Sequence, residues 1–182
     1  MKYFKKLAGE KVYLSPIDPD DAEKYTEWLN NPEILQFITL EPQVIGVAGE
    51  RAMLEKMAAS GHNFAVVRQD DDELLGTVSL NFVDMIFRRA ELGIFLGEPA
   101  ELSKGYGAEA IKLLLDYGFN TLGLHSIELF AFAFNERALA CYRKVGFREC
   151  GRLSEAAFKR GQYHDMVIMQ MLDREFNANN EK

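Results

Sequence analysis

The arrangement that most limits the fold lies between residues 89 and 134. A strand pattern over 89–96 leads through a turn carrying Lys104-Gly105-Tyr106-Gly107-Ala108 into the clearest helical pattern of the chain, and that helix leads into another strand. In the helix, Ile111, Leu114, Leu115, Gly118, Phe119 and Leu122 recur at i, i+3, i+4 and i+7, the period of an apolar stripe turned to a core. The strand over 127–134 is apolar on both faces apart from Glu128, as a strand in the middle of a sheet must be. A chain with this order is an α/β protein.

The flanking segments extend the same architecture. Residues 11–17 read as a first strand, and Asp18-Pro19-Asp20-Asp21 reads as a helix start, with proline and acids in the first turn. That helix turns Ala22, Tyr25, Trp28 and Leu29 inward and stops at Asn30-Asn31-Pro32; a weaker helical pattern with Leu54, Met57 and Ala58 ends near Ser60-Gly61. Strands are expected over 63–68, 74–84 and 89–96, with Asp70-Asp71-Asp72 turning between the first two in an antiparallel meander. After the central strand, Asn135 caps a helix that faces Ala138, Cys141, Tyr142 and Val145 to the core and ends at Gly146. A hairpin pairs 147–158 with 163–172 across Lys159-Arg160-Gly161-Gln162, and residues 177–182 read as a disordered polar tail beyond a single domain of 1–176.

Composition excludes several classes. A net charge of -7 opposes a general nucleic-acid-holding role and suits a cationic substrate. No apolar run approaches the roughly 18 residues that span a bilayer, and the basic opening residues 1–6 lack a following apolar core, so a cytoplasmic chain without membrane contact is expected. Cys141 and Cys150 have no metal or redox spacing and read as packing residues. His62, His125 and His164 are too scattered for a metal site, and none is expected.

The turn between the strand 89–96 and the helix makes an anion site: free amides and the positive dipole end at a helix start, with glycines that let a phosphate approach, although glycines before a helix also serve as plain turn residues. A nucleotide P-loop needs Gly-Lys followed by Ser or Thr, whereas Lys104 lies between Ser103 and Gly105. Gly105-Tyr-Gly107-Ala-Glu-Ala110 does fit the dinucleotide pattern G-x-G-x-x-A, with Glu128 about 20 residues on. That pattern follows its strand directly, however, and eight residues separate Leu96 from Gly105; a nicotinamide-dependent dehydrogenase is the weaker reading.

The second half of the pattern is Asn135-Glu-Arg-Ala138-Leu-Ala-Cys-Tyr142-Arg-Lys-Val-Gly146-Phe147, followed by Gly161-Gln-Tyr163-His-Asp165. With the opening strand and the glycine turn it resembles the GNAT acetyltransferases over nearly the whole chain, and within them the branch of ribosomal-protein N-terminal and spermidine acetyltransferases. The resemblance implies a mixed, mostly antiparallel sheet with splayed central strands flanked by helices, and acetyl-CoA as cosubstrate. It implies that main-chain groups of Ile94, Phe95 and Leu96 hold the pantetheine arm and that the turn Leu102, Ser103, Lys104, Gly105, Tyr106, Gly107 and Ala108 holds the pyrophosphate. Asn135 would contact the pantetheine or acyl region, and Tyr142 would stand beside the sulfur. The family starts its turn with Gln or Arg and then a variable residue or Gly, where this chain has Leu102 and Ser103 in a loop one residue longer, a departure that bears on local geometry and affinity. Acceptors compatible with the resemblance are a protein N-terminus, a polyamine, an amino sugar or an aminoglycoside, and a homodimer is compatible with it too. A non-catalytic module that senses coenzyme A or a polyamine is the alternative; retention of Asn135 and Tyr142 opposes it.

The chemistry asks for a proton acceptor. An alkyl ammonium of pKa about 10.4 is neutral in about one molecule in 2,500 at pH 7, a deficit of roughly 4.6 kcal/mol. On the strand 89–96, Glu91 shares a face with Gly93 and Phe95 and is either the base or a strand carboxylate paired with Arg88 or Arg89; Glu41 and Asp84 are alternative acids. Tyr142 is the candidate acid for the departing thiolate, and as a nucleophile Cys141 lacks a neighbouring histidine.

Overall fold

The computed structural model describes residues 2–38 and 44–180; Glu41 lies outside them. Eight strands follow the order β1-β2-β3-β4-β5-β6-β8-β7: β1 (Leu7–Ala8), β2 (Val12–Pro16), β3 (Asn63–Arg68), β4 (Leu74–Asp84), β5 (Arg89–Leu96), β6 (Ser126–Phe132), β7 (Arg148–Lys159) and β8 (Gln162–Leu172). The β1–β2, β2–β3, β3–β4, β6–β8 and β7–β8 ladders are antiparallel, and β5 runs parallel to β6. The helices are α1 (Ala22–Leu29), α2 (Pro32–Leu35), α3 (Val47–Ser60), α4 (Tyr106–Asp116), α5 (Glu136–Val145) and α6 (Asp173–Asn180). This is the mixed, mostly antiparallel sheet with flanking helices expected from the sequence. The chain forms two compact units, Met1–Ser79 with Gly93–Leu113 and Leu80–Leu92 with Leu114–Lys182.

In the first unit, Asp18 accepts from the Asp20 amide at 2.9 Å and Pro19 opens a 3-10 turn that feeds α1. Tyr25, Trp28, Ile17, Leu54 and Val67 then close one apolar cluster, with Phe95 packed against it. Asn30-Asn31-Pro32 ends α1 and also begins α2, because the Asn31 side chain accepts from the Glu33 amide. Helix α3 buries Leu54 and leaves Ala58 exposed, so its inward face is narrower than the sequence suggests.

In the second unit, Ile127 and Leu129 of β6 and Val167, Met169 and Met171 of β8 alternate into the core. Helix α4 passes into a π-helical turn at Tyr117–Thr121, and β6 ends at Phe132, earlier than 134, where the Phe132 carbonyl accepts from the Asn135 amide at 2.9 Å. The β7–β8 turn is two residues long, with Arg160 and Gly161 at φ 50° and 78°, the left-handed pair that matches strand twist. The stretch after Leu172 corrects a sequence expectation: it is helix α6 as far as Asn180, with Phe176 buried, and not a disordered tail from 177. A sequence window of polar residues conceals the single apolar anchor that orders it.

Candidate active site

In the first unit, β5 ends where Gly97 donates to the Leu75 carbonyl at 2.9 Å. A Cβ on Gly97 would lie 1.9 Å from the Trp28 ring, and the Trp28 indole donates to Glu98 at 2.8 Å, so the exit of the strand is fixed by a tryptophan 69 residues earlier. The chain then runs through a 3-10 turn at Pro99–Glu101 to Ser103 and Gly105, both left-handed at φ 63° and 94°. The Glu109 amide donates to the Gly105 carbonyl at 3.1 Å. The amides of Tyr106, Gly107 and Ala108 thus precede the first amide that donates within the helix and point out of the helix start. A Cβ on Gly107 would stand 3.4 Å from Leu96 and 3.7 Å from Ile94, so this glycine also sets how closely α4 lies on the end of β5.

The turn carries more charge than its own sequence supplies. Lys11 donates through Nζ to the Lys104 carbonyl at 3.1 Å, and its backbone amide donates to Glu109 at 3.0 Å. Lys104 pairs with Glu101 at 3.0 Å, and Arg68 reaches the same carboxylate at 3.1 Å. Sequence reasoning missed Lys11, which it read only as the start of a strand; no local signal links it to a turn more than 90 residues away.

In the second unit, the Asn135 side-chain oxygen accepts from the Ala138 amide at 3.3 Å and caps α5, and Gly146 at φ 119° ends it. The face expected to turn inward does so, with Val145 buried and Ala138, Cys141 and Tyr142 half-buried, and Leu139 is buried beside them. Tyr142 packs edge-on to Phe147 with ring centroids 6.2 Å apart. Burial, with a smaller contribution from Cys141, pushes its phenol up to about 12. Burial also raises the Cys141 thiol, which leaves little thiolate for a nucleophile.

Also in the second unit, β5 and β6 pair at Arg89↔Ser126, Ala90↔Ile127 and Glu91↔Glu128, where the ladder ends although both strands continue. There Phe82, Asp84, Arg89, Ala90, Glu91 and Glu128 line a hollow of about 320 Å³. Burial first and the Glu128 charge second raise the Glu91 carboxyl above its usual value. Among the described residues Glu91 forms no ion pair: Arg88 donates to the Gly123 carbonyl at 2.6 Å, and Arg89 lies over the Phe87 ring. Asp84 caps the following turn by accepting from the Ile86 and Phe87 amides, both at 2.9 Å. The hollow gathers Asp84 and Glu91 from successive strands together with Glu128 from β6.

Residues 11–148 match the family model of the acetyltransferase (GNAT) domain. The chain belongs to the GNAT acetyltransferase family. Spermidine N(1)-acetyltransferase of Escherichia coli K12 is 29% identical over 171 residues, covering 94% of this chain and 91% of that protein. A putative ribosomal N-acetyltransferase of Bacillus subtilis, YdaF, is 32% identical over 108 residues, 59% of this chain and 58% of that one. Among solved structures, a spermidine N-acetyltransferase from Vibrio cholerae in complex with CoA and spermine superposes with a TM-score of 0.82 at 28% identity, covering 93% of this chain and 99% of that chain. The protein is therefore an acyl-CoA-dependent N-acetyltransferase, and acetyl-CoA is its acyl donor. The turn before α4 fits such a donor: its outward amides and left-handed Gly105 suit a pyrophosphate, and Lys11 adds a cation there. Among the described residues there is no group of side chains arranged to hold a metal, and no helix is long and apolar enough to cross a membrane.

Proposed function

We propose that this GNAT acetyltransferase acetylates a cationic primary amine of the polyamine class, bound at the acidic hollow. The observation that carries the reading is that hollow: Asp84, Glu91 and Glu128 converge there, and neither Glu91 nor Glu128 has an ion-pair partner among the described residues. Spermidine acetyltransferases among the relatives support the same acceptor. An amine entering as its ammonium supplies the missing positive charge, and a carboxyl with raised proton affinity takes its proton.

In this reading Glu91 accepts the proton as the substrate N–H bond breaks, and the freed nitrogen pair attacks the thioester carbonyl. The C–S bond of the resulting tetrahedral centre then breaks as the nitrogen gives up its second proton, which passes to the departing sulfur while Tyr142 hydrogen-bonds that sulfur. Main-chain groups of Ile94, Phe95 and Leu96 hold the pantetheine arm, and the turn from Leu102 and Ser103 through Lys104, Gly105, Tyr106, Gly107 and Ala108 holds the pyrophosphate. Asn135 spends its oxygen on the helix cap, which leaves its amide nitrogen as the donor toward the donor's acyl or pantetheine groups. Residues 1–176 act as one catalytic domain, since β4, β5 and α4 each pass from one compact unit into the other. The reading extends to the cytoplasm, in keeping with two free cysteines, and to a homodimer, for which Phe82, Met85, Ile86 and Phe87 offer an apolar surface 57–88% exposed.

Free-thiol release from acetyl-CoA with a panel of polyamines, amino sugars and peptide N-termini tests the acceptor. Polyamines are expected to give the highest kcat/KM, and Glu91→Gln to reduce turnover most below the amine's own pKa. Preference for a peptide N-terminus, or a Glu91→Gln variant as active as wild type at every pH, would overturn the reading.

A further inference from the structure

The last pair of the parallel β5–β6 ladder is Glu91 opposite Glu128. Register partners on adjacent strands project to the same face, about 4.8 Å apart at the backbone, and like charges placed so weaken a sheet. The rest of that face of β6 carries Ser126, Phe130 and Phe132, so Glu128 is its single charge.

None of the charged groups facing the pair offsets it. On β5, Arg89 lines the same hollow but lies over the Phe87 ring. On β4, Asp84 adds a third negative charge and is already committed to the turn amides. On β8, the residue opposite Glu128 is Gln170, whose side-chain nitrogen donates to Ser126 at 2.9 Å. Two carboxylates therefore stand side by side, half-buried, with no ion pair among the described residues. Such an arrangement is unfavourable for folding and is relieved by one added positive charge.

We propose that Glu128 is a positioning residue for the transfer reaction: opposite Glu91 on the neighbouring strand, it holds the acceptor's ammonium over the Glu91 carboxylate. This rests on the hollow being the acceptor site. Glu128 undergoes no covalent change. Its charge acts twice, first as an electrostatic anchor for the incoming cation and then by favouring the state in which Glu91 carries the proton taken from the nitrogen. The Glu91 carboxyl, already lifted by burial and by Glu128, is the physical sign of that second effect. After transfer, the acetylated nitrogen is a neutral amide and loses the attraction at this pair, which aids release.

The test uses spermidine as probe, saturating acetyl-CoA, and kcat/KM measured across pH for wild type, Glu128→Gln, Glu128→Asp and Glu91→Gln. Glu128→Gln is expected to raise the spermidine KM about tenfold, the loss of one charged contact, with the acetyl-CoA KM unchanged. The acidic limb of the profile should move to lower pH, because the neighbouring charge that raised Glu91 is gone. Its melting temperature should stay level or rise, since a like-charge contact has been removed. Glu128→Asp keeps the charge and should recover part of both kinetic effects. If Glu91→Gln depresses turnover while Glu128→Gln leaves the limb and the spermidine KM unmoved, Glu128 has no positioning role and the acceptor reading stands. If neither variant alters the profile, the hollow is not the acceptor site. A Glu128→Gln protein that melts lower, with its limb unshifted, assigns Glu128 to structure alone and overturns the proposal.

Discussion

Replacing Tyr142 by Phe removes one hydroxyl and leaves the ring that packs edge-on to Phe147, so the protein is expected to fold. The size of the catalytic loss follows from proton affinities. Burial pushes the phenol up to about 12, whereas an ordinary alkyl thiol lies near 8.5. Complete transfer of the proton to a thiolate is therefore uphill by roughly 3.5 units, about 4.8 kcal/mol at 1.36 kcal/mol per unit. A phenol so placed assists mainly by hydrogen-bonding the thiolate as it forms, which contributes about 1.5–3 kcal/mol. The chemical step should slow by roughly 10- to 160-fold in Tyr142→Phe. Single-turnover release of free thiol, with both substrates saturating and pH stepped from about 7 to 10.5, isolates that step. Acetyl-CoA affinity should be unchanged, and wild type should show no falling limb below a pH of about 11. A loss beyond about 1,000-fold, together with a limb near 10 that vanishes in the variant, would mean an unperturbed phenol that transfers its proton outright. A loss below about twofold would leave Tyr142 with packing alone.

Gly107→Ala places a methyl at ordinary contact distance from Leu96 and Ile94, so stability should hold or rise by about 0.5–1 kcal/mol for a helical glycine replaced by alanine. The acetyl-CoA dissociation constant, measured calorimetrically, should rise about tenfold if the methyl stands where the pyrophosphate approaches; an unchanged constant would remove the phosphate from this turn. Gly107→Val is the less clean variant, because its further methyls press on the end of β5. Gly97→Ala drives a Cβ into the Trp28 ring and should destabilise by about 3 kcal/mol, lowering Tm by roughly 6–12 °C. A variant that melts like wild type would contradict the packing of Trp28 on the strand exit.

The sequence by itself determined what depends on neighbours along the chain. The stripe from Ile111 to Phe119, the Asn135 cap, the left-handed Gly146 and Gly161 and the stop at Gly61 all appear where the local pattern put them. The order of strand, glycine turn, helix and central strand, joined to the Asn135–Tyr142 helix, carried the family as well, because cofactor contacts made by backbone depend on a short contiguous geometry. Only the tertiary structure decided which charges meet. Lys11 arrives at the turn before α4 because β2 and the turn share a unit, and Trp28 reaches Gly97 for the same reason. Glu91 read equally as a base or as half of an ion pair with Arg88 or Arg89. The fold sends those arginines to a carbonyl and a ring and sets Glu128 opposite instead. The helical course of residues 173–180 was hidden for a related reason: it is settled by one buried side chain, Phe176, amid polar neighbours. Periodicity registers many weak preferences along a segment, whereas a hollow between strands is made by a few long-range pairs whose register no single segment encodes.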